Sequence, residues 1–96
     1  MKVLMINGSP HPAGNTSIAL NEMAKIFSDE SIETEILQIG NQAIRGCIAC
    51  GRCHELGRCV FDDIVNEAAL KFAECDGLVI GSPVYYASEN ATLIAF

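Results

Sequence analysis

The chain has 96 residues, with 6 Lys+Arg against 12 Asp+Glu, a formal charge of −6 and 50% hydrophobic residues. That length bounds it to one domain, and the apolar content, with a mean hydropathy of +0.28, excludes a disordered chain. The acidic balance excludes a protein that grips nucleic acid through its phosphates. No apolar run approaches the ~18 residues a membrane helix needs, and Met1 leads straight into strand-like sequence, not a signal peptide. The expectation is a soluble cytoplasmic protein with neither a nucleic-acid nor a membrane partner.

Lys2 to Asn7 is a near-continuous apolar run ending at Gly8, too short for a free helix and suited to a central strand buried on both faces. Thr16 to about Ser28 carries Ile18, Met23, Ile26 and Phe27 among polar residues and reads as an amphipathic helix. Ile32 to Ile39, with Glu33 and Glu35 on one side, reads as an edge strand whose charge discourages wrong pairing. Gly40 to Val60 is a loop dominated by cysteine and glycine. Asp62 and Asp63 place carboxylates where a helix N-terminus favours them, and Ile64, Val65, Ala68, Ala69 and Phe72 line one face of that helix. Gly77 to Gly81 is a second fully buried strand, followed by the turn Ser82-Pro83 and the start of a third helix at Asn90.

Strands alternating with helices imply an α/β fold with a parallel sheet and right-handed crossovers. A chain this short buries only roughly 60–65% of the surface its unfolded form exposes. It ends on the apolar run Ala91 to Phe96 and therefore reads as part of a longer domain. The third strand would then be an apolar edge, so a homo-oligomer that covers it is expected.

Three segments carry the chemistry. Gly8-Ser9-Pro10-His11-Pro12-Ala13-Gly14-Asn15-Thr16 joins the first strand to the first helix, at the strand end where open α/β sheets bind ligands. It offers the hydroxyls of Ser9, Thr16 and Ser17, the amide of Asn15 and the N–H groups of a helix start, and no acidic residue follows until Glu22. These donors suit a phosphate, to which His11 can also donate. Neither Gly-Lys-Ser/Thr nor G-x-G-x-x-G is present, which removes the two common nucleotide-loop patterns. An ordinary turn rich in turn-forming residues is the competing reading.

After the third strand, Pro83, Val84, Tyr85 and Tyr86 offer a stiff turn and flat apolar surface on the same sheet edge, suited to a planar ring; simple cover for the sheet end is the alternative. Cys47, Cys50, Cys53 and Cys59 form a C-x2-C-x2-C-x5-C run with glycines at 46, 51 and 57. An odd total of five cysteines argues against a disulfide scaffold. Three thiolates at intervals of three can converge on one centre, which leaves an iron–sulfur cluster, zinc or unligated thiols open. Arg45, Arg52 and Arg58 would offset thiolate charge; His54 reads as solvated and Cys75 as core packing.

Taken together, the Gly-Ser-Pro-x-x-x-Gly-Asn-Thr loop, the clustered cysteines and Gly-Ser-Pro-Val-Tyr-Tyr resemble the NAD(P)H-dependent FMN reductases, and the compact cysteine run resembles their iron–sulfur flavoprotein branch. The resemblance implies a flavodoxin-like, three-layer fold, cut to about three strands in order 2-1-3 and two to three helices, where the family's sheet has five strands. It implies that Ser9, Asn15, Thr16 and Ser17 hold the FMN phosphate, with His11 where relatives commonly carry Arg. It further implies that Pro83, Val84, Tyr85 and Tyr86 line the flavin ring and that Cys47, Cys50, Cys53 and Cys59 hold a [4Fe–4S] cluster. The implied partners are NAD(P)H and a small electron acceptor, with no side chain required as catalytic acid or base. The alternative is a catalytically incomplete chain acting as a metal-binding or oligomerising module.

Overall fold

The strand β1 (Lys2–Asn7) is the centre of the molecule because Val3, Leu4, Met5 and Ile6 give it an apolar side chain on both faces. Each contributes about 1.5–3 kcal/mol on leaving water. The computed structural model describes all 96 residues. Beyond β1 the elements run α1 (Asn15–Asp29), β2 (Glu33–Gln38), α2 (Cys53–Leu56), α3 (Ile64–Glu74), β3 (Gly77–Gly81), β4 (Val84–Tyr85), β5 (Ser88–Glu89) and α4 (Ala91–Ala95). β1 pairs in parallel with β2 on one side and β3 on the other, so the sheet order is β2-β1-β3. This is the order and fold class expected from the sequence, a flavodoxin-like α/β arrangement.

The alternation along β1 sorts the two layers. Val3 and Met5 pack with Leu20, Ala24 and Phe27 of α1, while Leu4 and Ile6 pack on the opposite face with Ile39, Ile64 and Leu93. The inward stripe of α1 is therefore Leu20, Ala24 and Phe27, spaced i, i+4, i+7. Of the four residues the sequence suggested, Ile18, Met23 and Ile26 face outward and only Phe27 packs inward, because those three lie off the stripe that Leu20 begins.

Three further differences have local causes. The cysteine segment is not all loop, since Cys53–Leu56 closes one helical turn, α2. β3 is not buried on both faces: Leu78 and Ile80 point to the α3 side, line the cavity left there, and stay 44% and 56% exposed. The chain after β3 folds into the antiparallel hairpin β4–β5 before α4, where the sequence suggested only a turn. Asp63 caps α3 as expected, its carboxylate accepting the Val65 N–H at 3.0 Å, whereas Asp62 pairs with Arg58. Phe72 lies on the expected face of α3 but remains 57% exposed, because a cavity of about 200 Å³ lined with Leu4, Ala68 and Ile80 separates that face from the sheet edge.

One ion pair ties the α3 layer to the sheet. Lys71 donates to Glu35 of β2 at 2.6 Å, and both side chains are about two-thirds buried or more (27% and 36% exposed). The hydrogen bond from Lys71 is the main cause that holds the Glu35 carboxyl below the usual carboxylate range, and the same bond raises Lys71. A lowered carboxylate contributes stability above its unfolded pKa and loses it as pH falls through the folded value. Glu35→Gln is expected to lower the unfolding midpoint at pH 7 and to match the parent near pH 3, as read by urea titration at the two pH values.

Candidate nucleotide and thiol sites

The register of the parallel sheet brings the first and third loops together. Asn7 pairs with Gly81, and one residue further on the Gly8 N–H donates to the Gly81 carbonyl at 2.8 Å. Both loops thus leave the carboxyl edge of the sheet side by side, as a ligand spanning them requires.

The first loop is shaped from within and held from both flanks. Asn7 Oδ1 accepts the Ser9 N–H at 2.9 Å, and Ser9 Oγ accepts the His11 N–H at 3.1 Å. From the β2 side, Gln38 Nε2 donates to the Ser9 carbonyl at 3.1 Å. Gly40 crosses so close that a Cβ there would collide with the Ser9 carbonyl group. From the β3 side, a Cβ on Gly81 would meet Thr16 Cγ2 at 2.8 Å. Asn90 Nδ2 donates to the Gly8 carbonyl at 2.5 Å.

Ser9 is buried, with its hydroxyl oxygen already accepting one bond and its proton free to donate. His11 and Asn15 are exposed, and Thr16 and Ser17 are half-buried, with Ser17 Oγ accepting from Asn21 Nδ2 at 3.3 Å. The N-cap of α1 is Gly14, which makes no side-chain cap, and the first turn holds no acidic residue. The N–H groups of Asn15, Thr16 and Ser17 have no protein acceptor, so together with the helix dipole they form a cradle for an anion. These residues fit a phosphate.

On the third loop, Pro83 is half-buried while Val84, Tyr85 and Tyr86 are exposed. Tyr86 and Ala87 form the two-residue tip of the β4–β5 hairpin, with φ of 54° and 62°. Such a turn normally takes Asn-Gly, and each non-glycine residue in that region costs about 1–2 kcal/mol. At this tip the Tyr86 side chain is fully exposed. Beside it Glu89 is held below the usual carboxylate range, first by its own backbone N–H and then by the Ser88 hydroxyl at 2.9 Å.

The cysteines form a separate site. All five thiols are free, and Cys47, Cys50, Cys53 and Cys59 line one cavity of about 250 Å³ together with Phe61, Val65 and Phe96. No three of these side chains stand in the geometry of a metal-ligand group. The donor set and the shared cavity suit a thiolate-bound centre, but the thiols as placed do not group to hold one. One end of the segment is fixed, because Asn66 of α3 accepts the Cys59 N–H at 2.8 Å and donates to the carbonyls of Cys59 and Phe61 at 3.1 Å. The Arg45 guanidinium lies 4.6 Å from the centroid of the Phe61 ring, and the Ala49 N–H donates to Cys47 Sγ at 3.3 Å. Cys75 packs against the core cluster of Leu4, Ile6 and Ile39 and donates to the Phe72 carbonyl at 3.2 Å.

Sequence reasoning alone singled out neither Gln38, Gly40 nor Asn90 as site residues. Asn90 opening an apolar helix was legible only as a cap signal, and the other two carry no local signal because their partners lie about 30 residues away in sequence.

Paired loops at the carboxyl edge of a β2-β1-β3 parallel sheet, with helices on both faces, define a flavodoxin-like α/β protein. More narrowly, the chain belongs to the NADPH-dependent FMN reductase family, which matches residues 1–96. It is 41% identical over 93 residues to an iron–sulfur flavoprotein of Methanocaldococcus jannaschii, covering 97% of this chain and 48% of that protein. It is 32% identical over 95 residues to an iron–sulfur flavoprotein of Methanosarcina thermophila, covering 99% of this chain and 50% of the relative. Against one from Archaeoglobus fulgidus the identity is 34% over 96 residues, covering 100% of this chain and 44% of the relative. The chain therefore spans about half the length of the relatives it matches. No solved structure matches it.

Gly40→Ala forces a methyl into the backbone of Ser9. The expected cost is about 1–3 kcal/mol or more in unfolding free energy, measured by chemical denaturation. The amides of the first loop should exchange faster than in the parent.

Proposed function

We propose that the chain supplies the FMN-gripping part of an iron–sulfur flavoprotein that acts as an NAD(P)H-dependent oxidoreductase. The observation that carries this reading is the adjacency of the two loops, fixed by the Gly8–Gly81 hydrogen bond. Family membership and the names of the relatives support the flavin and the oxidoreductase class.

FMN, when bound, supplies hydride acceptance and one-electron release. The residues of this chain bind and orient it. The free N–H groups of Asn15, Thr16 and Ser17, with the hydroxyls of Ser9, Thr16 and Ser17 and the imidazole of His11, hold the phosphate. Pro83, Val84, Tyr85 and Tyr86 cover the ring, the tyrosines excluding water while their hydroxyls stay wet. No residue is assigned an acid–base role. Cys47, Cys50, Cys53 and Cys59 are proposed to hold a [4Fe–4S] cluster, supported by their common cavity and by the relatives' names. Closing that cage requires the cysteine segment to draw inward from its fixed end at Asn66. The electron acceptor is a small molecule, and free thiols suit the reducing cytoplasm. No helix of the chain is long and apolar enough to cross a membrane.

The test is an ultraviolet–visible spectrum of protein purified without oxygen and supplied with iron and FMN. Flavin bands with quenched fluorescence are expected, plus a broad iron–sulfur absorbance that Cys50→Ser removes while the flavin bands stay. An absence of bound flavin overturns the reading. Asn15→Asp separates the phosphate contact from folding. A carboxylate in the first turn favours the helix but repels a phosphate, so FMN affinity should fall roughly tenfold with riboflavin affinity unchanged.

A second reading rests on a different observation: β3 is an edge strand of the sheet, and Leu78 and Ile80 on its α3-side face are exposed. Here the chain assembles with a second copy of itself across that edge. Sedimentation is expected to give a dimer or larger species that Ile80→Lys converts to monomer; a parent that stays monomeric at high concentration ends this reading.

A further inference from the structure

Asn90 opens α4, and asparagine is a favoured residue for capping a helix with its side chain. Here the side chain makes no capping bond. It is 3% exposed and turns instead to the first loop, 82 positions away in sequence, where Nδ2 donates to the Gly8 carbonyl at 2.5 Å. Its own N–H donates to Ser82 Oγ at 3.2 Å, and that hydroxyl donates to the Pro83 carbonyl at 2.8 Å and lies 3.3 Å from Asn90 Oδ1. Gly8 is thus held at both polar atoms by the third-loop side, its N–H by Gly81 and its carbonyl by Asn90. One buried amide joins the loop that cradles an anion to the loop that carries the tyrosines.

We propose that Asn90 is a positioning residue that fixes the spacing between the phosphate-binding and ring-binding loops, so that a flavin nucleotide engages both at once. This rests on the FMN reading above and adds to it a residue that touches no part of the nucleotide. A ligand spanning two sub-sites binds tightly only when their separation matches its length, because the second contact is then intramolecular. A ligand that uses one sub-site is indifferent to that separation.

Riboflavin shares the FMN ring and lacks the phosphate, which supplies the test. In the full chain, Asn90→Ser keeps an oxygen able to cap α4 and cannot reach Gly8. Asn90→Asp keeps the shape and sets an oxygen against the Gly8 carbonyl. Ser82→Ala is milder: it leaves the Asn90–Gly8 bond in place and removes the hydroxyl that accepts the Asn90 N–H and donates to the Pro83 carbonyl. Affinities for FMN and riboflavin are read by fluorescence quenching. The two Asn90 variants are expected to lose about tenfold or more in FMN affinity with riboflavin within about twofold, and Ser82→Ala to shift the ratio the same way by less. Hydrogen exchange at the Ser9–Ser17 amides should quicken, with Val3–Ile6 still protected. An FMN-to-riboflavin ratio equal to the parent's in all three variants, or a proportional loss of both ligands, overturns the positioning role. A parent chain that quenches neither flavin overturns the FMN reading itself, and the positioning role falls with it.

Discussion

Where β1 and β3 end, the Gly8 N–H reaches the Gly81 carbonyl at 2.8 Å, continuing the ladder one residue past the strands. That contact demands a small residue on each side. A Cβ on Gly8 would stand 3.1 Å from the Gly81 oxygen, and one on Gly81 would press on Thr16 and Leu20. The first turn of α1 consequently lies directly against the end of β3. The donor-rich loop, the tyrosine hairpin and the buried Asn90 all take their positions from this junction.

The fold was legible because β1 announces itself. Four successive apolar residues, Val3 to Ile6, followed closely by Gly8 suit a strand covered on both faces, and the strand–helix alternation around it leaves few topologies. The orientation of α1 was less legible. Its outward isoleucines at 18 and 26 are at least as hydrophobic as the inward Leu20, Ala24 and Phe27, and only the packing of Leu20 against Val3 and Met5 decides which stripe turns in. The β4–β5 hairpin was hidden for another reason: its tip is Tyr86-Ala87, residues with no intrinsic preference for positive φ. At the site, the motif residues 9 to 17 and 83 to 86 could be read from local chemistry. Their brackets at Gln38, Gly40 and Asn90 could not, because each acts on a residue distant in the chain.

The cysteine segment follows a different logic from the sheet. Its thiols are mostly exposed, its single helical turn is short, and its attachment to α3 runs through one asparagine. The segment is anchored where Ile44 packs on the core and where Cys59 bonds to Asn66, and between these points Cys47, Cys50 and Cys53 stay exposed. Phe96 lines the thiol cavity at the end of α4, while Asn90 at the other end of that helix touches the first loop. Six residue steps separate the two across α4, a rise of about 9 Å. The two sites are neighbours by construction.

The central place of β1 also sets an order of events for the growing polypeptide. Its partner β2 follows after a single helix, but β3 pairs with it only after 70 or more intervening residues, and Asn90 comes later still. Closing so long a stretch costs entropy before any contact repays it. The donor-rich first loop can begin to form once β1 and α1 exist, while its union with the tyrosine hairpin waits for nearly the whole length now described. During synthesis, a nucleotide engaging both loops would find no complete seat until Asn90 had left the ribosome.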